Sequence, residues 1–120
     1  MKEYLFLEYP ACSTCRKAKK WLDEQKVNYT DRHIVEERPT CEELKIWFER
    51  SGLPLRKFFN TSGLLYKSMQ LKEKLDGMSE EKQLELLASD GKLVKRPLVI
   101  GEDFVLVGFK PEEWKTVLLK

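Results

Sequence analysis

The chain has 120 residues, 42% hydrophobic and 35% charged, which suits a single folded domain over 1–120 and excludes long disorder. Its 22 basic and 20 acidic side chains leave a formal charge of +2, so no overall field points to direct nucleic-acid binding. No apolar run nears the ~20 residues of a membrane-spanning helix, and Tyr4 to Tyr9, broken by Glu8, is too short for a signal-peptide core; a cytoplasmic protein without membrane attachment is expected.

In chain order, Lys2–Tyr9 carries Leu5-Phe6-Leu7 and stops at Pro10, which predicts a buried first strand. A helix follows from Thr14 to Gln25. Cys15, Ala18, Trp21 and Leu22 recur there at helical spacing, while Arg16, Lys17, Lys19 and Lys20 fill the wet face. Val27–Ile34 mixes β-branched and aromatic residues with polar ones and predicts a second strand, parallel to the first, completing a βαβ unit. Thr40 and Glu43 have capping-box spacing and open a second helix with Leu44, Trp47 and Phe48 inward and Ser51-Gly52 as its end.

The pattern weakens between Pro54 and Leu75. Leu55, Phe58 and Phe59 suggest a short amphipathic turn, Asn60-Thr61-Ser62-Gly63 a break, and Leu64–Met69 a short helix. Ser79 caps a clearer helix through Ser89, with Leu84, Leu86, Leu87 and Ala88 inward and Gly91 as its stop. Pro97-Leu98-Val99-Ile100 predicts a strand, Gly101-Glu102-Asp103 a hairpin turn and Phe104–Val107 the partner strand. Pro111 fits the first position of a last helix carrying Trp114, Val117 and Leu118. The expected fold class is α/β, βαβ followed by helices and then ββα, with the helices inserted between the second and third strands.

The chemistry concentrates in Cys12-Ser13-Thr14-Cys15. Three cysteines are an odd number and do not make a secreted disulfide framework. Cys12 falls just before the first turn of a helix, where unpaired N–H groups and the helix dipole favour an anion. That raises the thiolate fraction, and the thiolate is the reactive species. Arg16 and the following lysines add positive potential, and Ser13 and Thr14 are placed to donate to the sulfur or to cap the helix. Cys15, one turn on and more buried, is positioned to attack a mixed disulfide on Cys12 and release the partner.

Two other uses of the pair stay open on the residues alone. The cysteines could be ordinary core residues, or Cys12, Cys15, His33 and Cys41 could nominally supply four zinc ligands. A CxxC that opens a helix after a buried strand, with no second CxxC, favours redox chemistry with no bound cofactor or metal. Cys41, at the first position of a capped helix, reads as a surface thiol, and His33 as a structural or exposed residue ending an edge strand. Trp21, Trp47 and Trp114 read as core.

The run Tyr9-Pro10-Ala11-Cys12-Ser13-Thr14-Cys15-Arg16-Lys17-Ala18, followed much later by Lys95-Arg96-Pro97, resembles the ArsC/Spx family of thioredoxin-like proteins over essentially the whole chain. The resemblance implies a thioredoxin/glutaredoxin-like mixed sheet, Cys12 as nucleophile, a cis peptide before Pro97 facing it, and Arg96 directed at the Cys12 sulfur. From there Arg96 would stabilise the thiolate and hold an oxyanion by its planar fork of donors. Arsenate reductases of this family surround the cysteine with three arginines, and this sequence matches one. Asn60 stands where the mid-chain arginine is expected, after Arg56-Lys57-Phe58-Phe59, and Val107-Gly108-Phe109 stands where the last is expected. Arg56, Lys57 and Lys110 are the nearest substitutes, but none matches the motif. Cys15 is the pattern of the Spx branch.

The resemblance thus implies two functions. One is an arsenate-reductase-like thiol–disulfide oxidoreductase resolved by Cys15 or by an external thiol: glutathione, glutaredoxin or thioredoxin. The other is an Spx-like regulator that binds RNA polymerase and switches through a Cys12–Cys15 disulfide. Against the regulator, the sequence stops at Lys120 with no basic tail after the last helix.

Overall fold

A computed structural model describes residues 3–119. Lys2, at the start of the predicted first strand, and Lys120 lie outside them. The element order is β1 (Tyr4–Glu8), α1 (Ser13–Glu24), β2 (Tyr29–His33), α2 (Cys41–Ser51), α3 (Leu64–Ser68), α4 (Leu71–Lys74), α5 (Glu80–Ser89), β3 (Leu98–Ile100), β4 (Val105–Val107) and α6 (Pro111–Leu118). Single 3-10 turns cover Leu55–Phe58, Leu75–Gly77 and Gly91–Leu93.

The four strands form one sheet in the order β2-β1-β3-β4. β1 and β2 run parallel, as a strand–helix–strand crossover requires, and β3 is antiparallel to both β1 and β4. This mixed sheet with helices on both faces is the thioredoxin/glutaredoxin-like arrangement expected.

Register and the period of two sort the side chains. Phe6, Val99 and Leu106 align across β1, β3 and β4 and share a core with Ala18 and Leu22 of α1 and Trp114 of α6. Their neighbours Leu7, Leu98, Ile100 and Val105 face the other way, into a core with Leu44 and Trp47 of α2 and Leu84 and Leu87 of α5. One sheet therefore holds α1 and α6 on one side and the inserted helices on the other.

The capping box at Thr40 and Glu43 is formed in both directions, and Gly52 ends α2 at φ 69°, a conformation that suits glycine. Arg50 of α2 donates to the Gly101 carbonyl at 2.6 Å and ties the insertion to the β3–β4 turn. Ser79 caps α5 through the Lys82 N–H.

Three local expectations need correction. The second strand is shorter than Val27–Ile34, because Val27 and Asn28 form the approach to β2 and Ile34 turns away after His33. Leu71–Lys74 and Leu75–Gly77 are helical where no regular pattern was legible, since pieces of four and three residues are too short to show a period. Gly91 does not stop α5; Asp90 does, and Gly91 opens a 3-10 turn. A side chain at Gly91 would place its Cβ 2.0 Å from the Ile34 carbonyl oxygen, so glycine there permits close backbone packing.

Candidate functional site

β1 ends at Glu8, and Tyr9-Pro10-Ala11 turns the chain into α1. The Cys12 N–H donates to the Tyr9 carbonyl at 2.9 Å, closing the turn, and the Arg16 N–H donates to the Cys12 carbonyl at 3.1 Å, opening the helix. Cys12 is the N-cap residue, extended at φ −86° and ψ 121°, and as a thiol it makes no side-chain capping bond.

The two sulfurs sit in different surroundings. Cys12 is half-buried, whereas Cys15 is fully buried, and both are free thiols. Burial by itself would raise the Cys12 pKa, but it is outweighed by donors to the sulfur. These are the Cys15 backbone N–H and thiol, the Thr14 backbone N–H and the Arg96 side chain, and together they hold the Cys12 thiol below its ordinary value. Burial pushes the Cys15 thiol up to about 12; the Tyr9 N–H, 3.5 Å from its sulfur, opposes this, and the neighbouring Cys12 adds to it. One thiol is therefore shifted towards its thiolate and its neighbour keeps its proton.

Arg96 reaches the site from the far end of the chain. The peptide bond between Arg96 and Pro97 is cis, as the resemblance implied. The segment before it is anchored to the insertion: the Lys95 N–H donates to Phe58 at 2.7 Å, the Asn60 N–H donates to Leu93 at 2.8 Å, and Phe59 bridges to Val94. The Arg96 guanidinium lies 5.0 Å from the centroid of the Tyr9 ring, a cation–π arrangement, and Nη1 donates to the Lys92 carbonyl at 3.4 Å. Its Nε is buried without a hydrogen-bond partner among the described residues.

The other expected contributors sit differently. Arg16 Nη1 donates to the Pro10 carbonyl at 2.9 Å, so it braces the loop before Cys12. At Ser13 and Thr14 it is the Thr14 backbone N–H, not a hydroxyl, that acts on Cys12. Cys41 opens α2 and packs at the edge of the insertion core. His33 ends β2, where Nδ1 accepts from the Val35 and Glu36 N–H groups at 3.2 and 3.0 Å. No group of three or more His, Cys, Asp or Glu side chains among the described residues is placed to hold a metal, so the nominal zinc set is not assembled. Trp47 and Trp114 are core residues and Trp21 packs edge-on against Trp114.

Cys12 opens into a cleft of about 1320 Å3, formed where the insertion, the segment before β3 and the end of β4 converge. Asn60, at the place of the expected mid-chain arginine, lines it and is largely buried. A Cβ at Gly63 would come within 2.7 Å of the Asn60 Nδ2, so glycine makes room for that amide. Gly108, in the Val107-Gly108-Phe109 stretch where the last arginine is expected, has φ 78° and is fixed by its N–H to Pro97 at 2.9 Å and by Trp114 Nε1 to its carbonyl at 3.0 Å. Arg56 is engaged by Asp76 at 2.5 Å. Among the cleft lysines, Lys92 escaped the motif-based reading, and Lys57 and Lys110 were legible as possible substitutes for the missing arginines and not as a shared lining, because scattered cations carry no spacing signal before the fold brings them together.

The ArsC family profile matches residues 7–117. A solved structure of an ArsC family related protein from Bacteroides fragilis is 65% identical, with a TM-score of 0.92 and 97% of each chain covered. A crystal structure of a possible arsenate reductase from Streptococcus mutans is 42% identical, with a TM-score of 0.87, covering 96% of this chain and 99% of that one. The regulatory protein MgsR of Bacillus subtilis is 30% identical over 93% of this chain and 87% of its own length.

Proposed function

The chain belongs to the ArsC family, and from that premise we propose that it is a thiol–disulfide oxidoreductase working through Cys12 and Cys15. The observation that carries the proposal is the split between the two thiols: Cys12 is half-buried with a lowered pKa, while buried Cys15 is raised to about 12.

The Cys12 thiolate attacks one sulfur of a substrate disulfide, forming a mixed disulfide and releasing the other sulfur as a thiolate, which takes a proton from solvent. The donors on Cys12 favour its anion, and bonding to substrate removes that charge. Cys15 then loses its proton to solvent and attacks the Cys12 sulfur, and the second substrate thiolate it expels takes a proton from solvent. The substrate disulfide has gained two electrons, and the protein dithiol has become a Cys12–Cys15 disulfide. Residues three apart in a helical turn have Cβ atoms within ~5–6 Å, close enough for a small adjustment to join them. An external thiol, glutathione, glutaredoxin or thioredoxin, returns the pair to the reduced state. The setting is the cytoplasm, and no helix among the described residues is long and apolar enough to cross a membrane.

Arsenate is a poorer candidate substrate than a disulfide. Arg96 is the cleft cation that figures among the main donors to the Cys12 sulfur, and Asn60 and the Val107-Gly108-Phe109 stretch stand where two further guanidiniums are expected. Losing those bidentate donors weakens oxyanion binding. In the deciding assay, reduced protein is offered arsenate or a small disulfide with a glutaredoxin or thioredoxin system, and NADPH oxidation is followed beside a Cys12→Ser control. Disulfide-dependent turnover above the control is expected. Turnover with neither substrate refutes the enzyme.

The likeness to MgsR and the CxxC support a second reading, a redox-switched regulator that binds RNA polymerase. Pull-down of RNA polymerase by one redox form and not by the other would establish it, and failure of both forms removes it.

A further inference from the structure

We propose that the substrate of the Cys12 cleft is a disulfide carried on an acidic, extended polypeptide segment. The proposal rests on the thiol–disulfide reading above and deepens it.

Size is the first argument. A tetrahedral oxyanion displaces about the volume of two or three waters, each ~30 Å3. The cleft holds about 1320 Å3, also more than the ~300–1,000 Å3 typical of small-molecule sites. Cys12 therefore opens into a cleft far larger than a closed anion pocket.

The second argument is where the charge lies. Lys57, Lys92, Lys95 and Lys110 line the cleft together with Arg96, and none of the four lysines makes an ion pair among the described residues. The carboxylate on the lining, Asp90, is occupied in accepting the Lys92 backbone N–H at 2.9 Å. Of these cations Arg96 is the one among the main donors to the Cys12 sulfur. Charge that converges on one point suits a compact anion. Charge spread along the walls, with one guanidinium at the sulfur, suits several carboxylates distributed along a chain.

The third argument is the rim. Leu64 is 87% exposed at the first position of α3, and Leu53 is 37% exposed; both border the cleft. Apolar side chains held in water beside a basic cleft fit a partner that brings apolar contacts as well as charge, as a polypeptide does and an inorganic anion does not. Asn60, buried in the wall beside Gly63, adds a neutral amide suited to a peptide backbone.

Three synthetic peptides test this, each carrying one cysteine as a mixed disulfide with thionitrobenzoate and flanked by Glu, Gln or Lys. Single-turnover release of thionitrobenzoate by the reduced full-length protein is followed at low salt and at high salt. The Glu peptide is expected to react about 10-fold faster than the Lys peptide at low salt, with the preference collapsing at high salt. Charge reversal at Lys57, Lys92 and Lys110 should reduce or invert the ratio of the two rates. Circular dichroism establishes that the variant is folded, and single reversals serve if the triple variant is not. Equal rates for all three peptides overturn the acidic-partner inference and leave the thiol chemistry standing. No reaction above Cys12→Ser with any peptide, or with neutral dithiodipyridine, defeats the underlying reading instead. A single-stranded oligonucleotide that blocks the reaction, when the Glu peptide shows no advantage, assigns the cleft to nucleic acid and also overturns the inference.

Discussion

Replacing Glu8 with Gln is expected to stabilise the protein above pH 7 and to leave its stability unchanged near pH 4. Glu8 closes β1 and is only 4% exposed. Its Oε2 lies 3.5 Å from Lys19 Nζ, but that ammonium is turned to Asp31 at 2.6 Å, and Oε2 has no hydrogen-bond partner among the described residues. Burial first, and then the hydrogen bond and charge of Asp31, push the Glu8 carboxyl from 4.5 up to about 7. An unfolded chain releases this proton near pH 4.5, while the folded chain keeps it to about pH 7. Stability is therefore lost across that interval and stays lower above it. At 1.36 kcal/mol per pH unit the loss is about 3 kcal/mol. Asp31 behaves oppositely: burial opposes the effect, but hydrogen bonds with Glu8 and Lys19 hold it below 3.8, so its contribution falls away only at lower pH. Glutamine keeps a donor for Asp31 and cannot ionise. Urea denaturation of both proteins from pH 4 to 9 should give curves that coincide at the acid end and separate above pH 5. A difference that does not change with pH, or a less stable variant at pH 8, would falsify this account of the buried carboxyl.

The remaining predictions concern the site and its supports. Arg96→Met removes a donor to the Cys12 sulfur, so the pH profile of iodoacetamide alkylation at Cys12, read by mass spectrometry, should move to higher pH; an unmoved midpoint would mean that the guanidinium does not act on the thiolate. Gly91→Ala forces a Cβ to within 2.0 Å of the Ile34 carbonyl oxygen and should cost about 1–3 kcal/mol in chemical denaturation, whereas a wild-type midpoint would show that this contact relaxes freely. Thr40→Ala dismantles the capping box that opens α2 and should cost about 1 kcal/mol, visible as a lower thermal midpoint. An unchanged midpoint there would leave the box without energetic weight.

How much of this was legible beforehand depended on whether the signal was local. The first βαβ unit, the Thr40 box, the Ser79 cap and the Pro111 start could all be read, because periodicity and caps are written within one turn of the chain. Gly91 misled because a glycine after a helix usually marks a stop, and only the approach of Ile34, far away in sequence, shows its actual use. The helical pieces between Leu71 and Gly77 depend on the insertion core that buries Leu71 and Leu75. At the site, the CxxC was plain from spacing, and Arg96 became visible only through the family resemblance. Tyr9, Asn60, Lys57, Lys95 and Lys110 could be named through the family motifs, but they come from separate elements, and that they line one cleft together with Lys92 is visible only in the fold. Glu8 looked like a flaw in an apolar strand, when it is the buried member of a charge cluster whose partners Lys19 and Asp31 reach solvent.

The uncapped amino end of α1 links the folding of this helix to the chemistry of its first sulfur. Cys12 occupies the place where a serine or aspartate would ordinarily accept from the first turn, and as a neutral thiol it leaves that role unfilled. Once the proton departs, the sulfur becomes a stronger acceptor for the Thr14 and Cys15 N–H groups, so ionisation favours the cap. The converse also holds: any group bonded to Cys12, whether a substrate, a drug-like electrophile or its own neighbour Cys15, withdraws the cap again. Amide hydrogen exchange at Thr14 and Cys15 is therefore expected to be slower with Cys12 ionised than with a group bonded to its sulfur, and equal rates would leave the thiolate without a capping role.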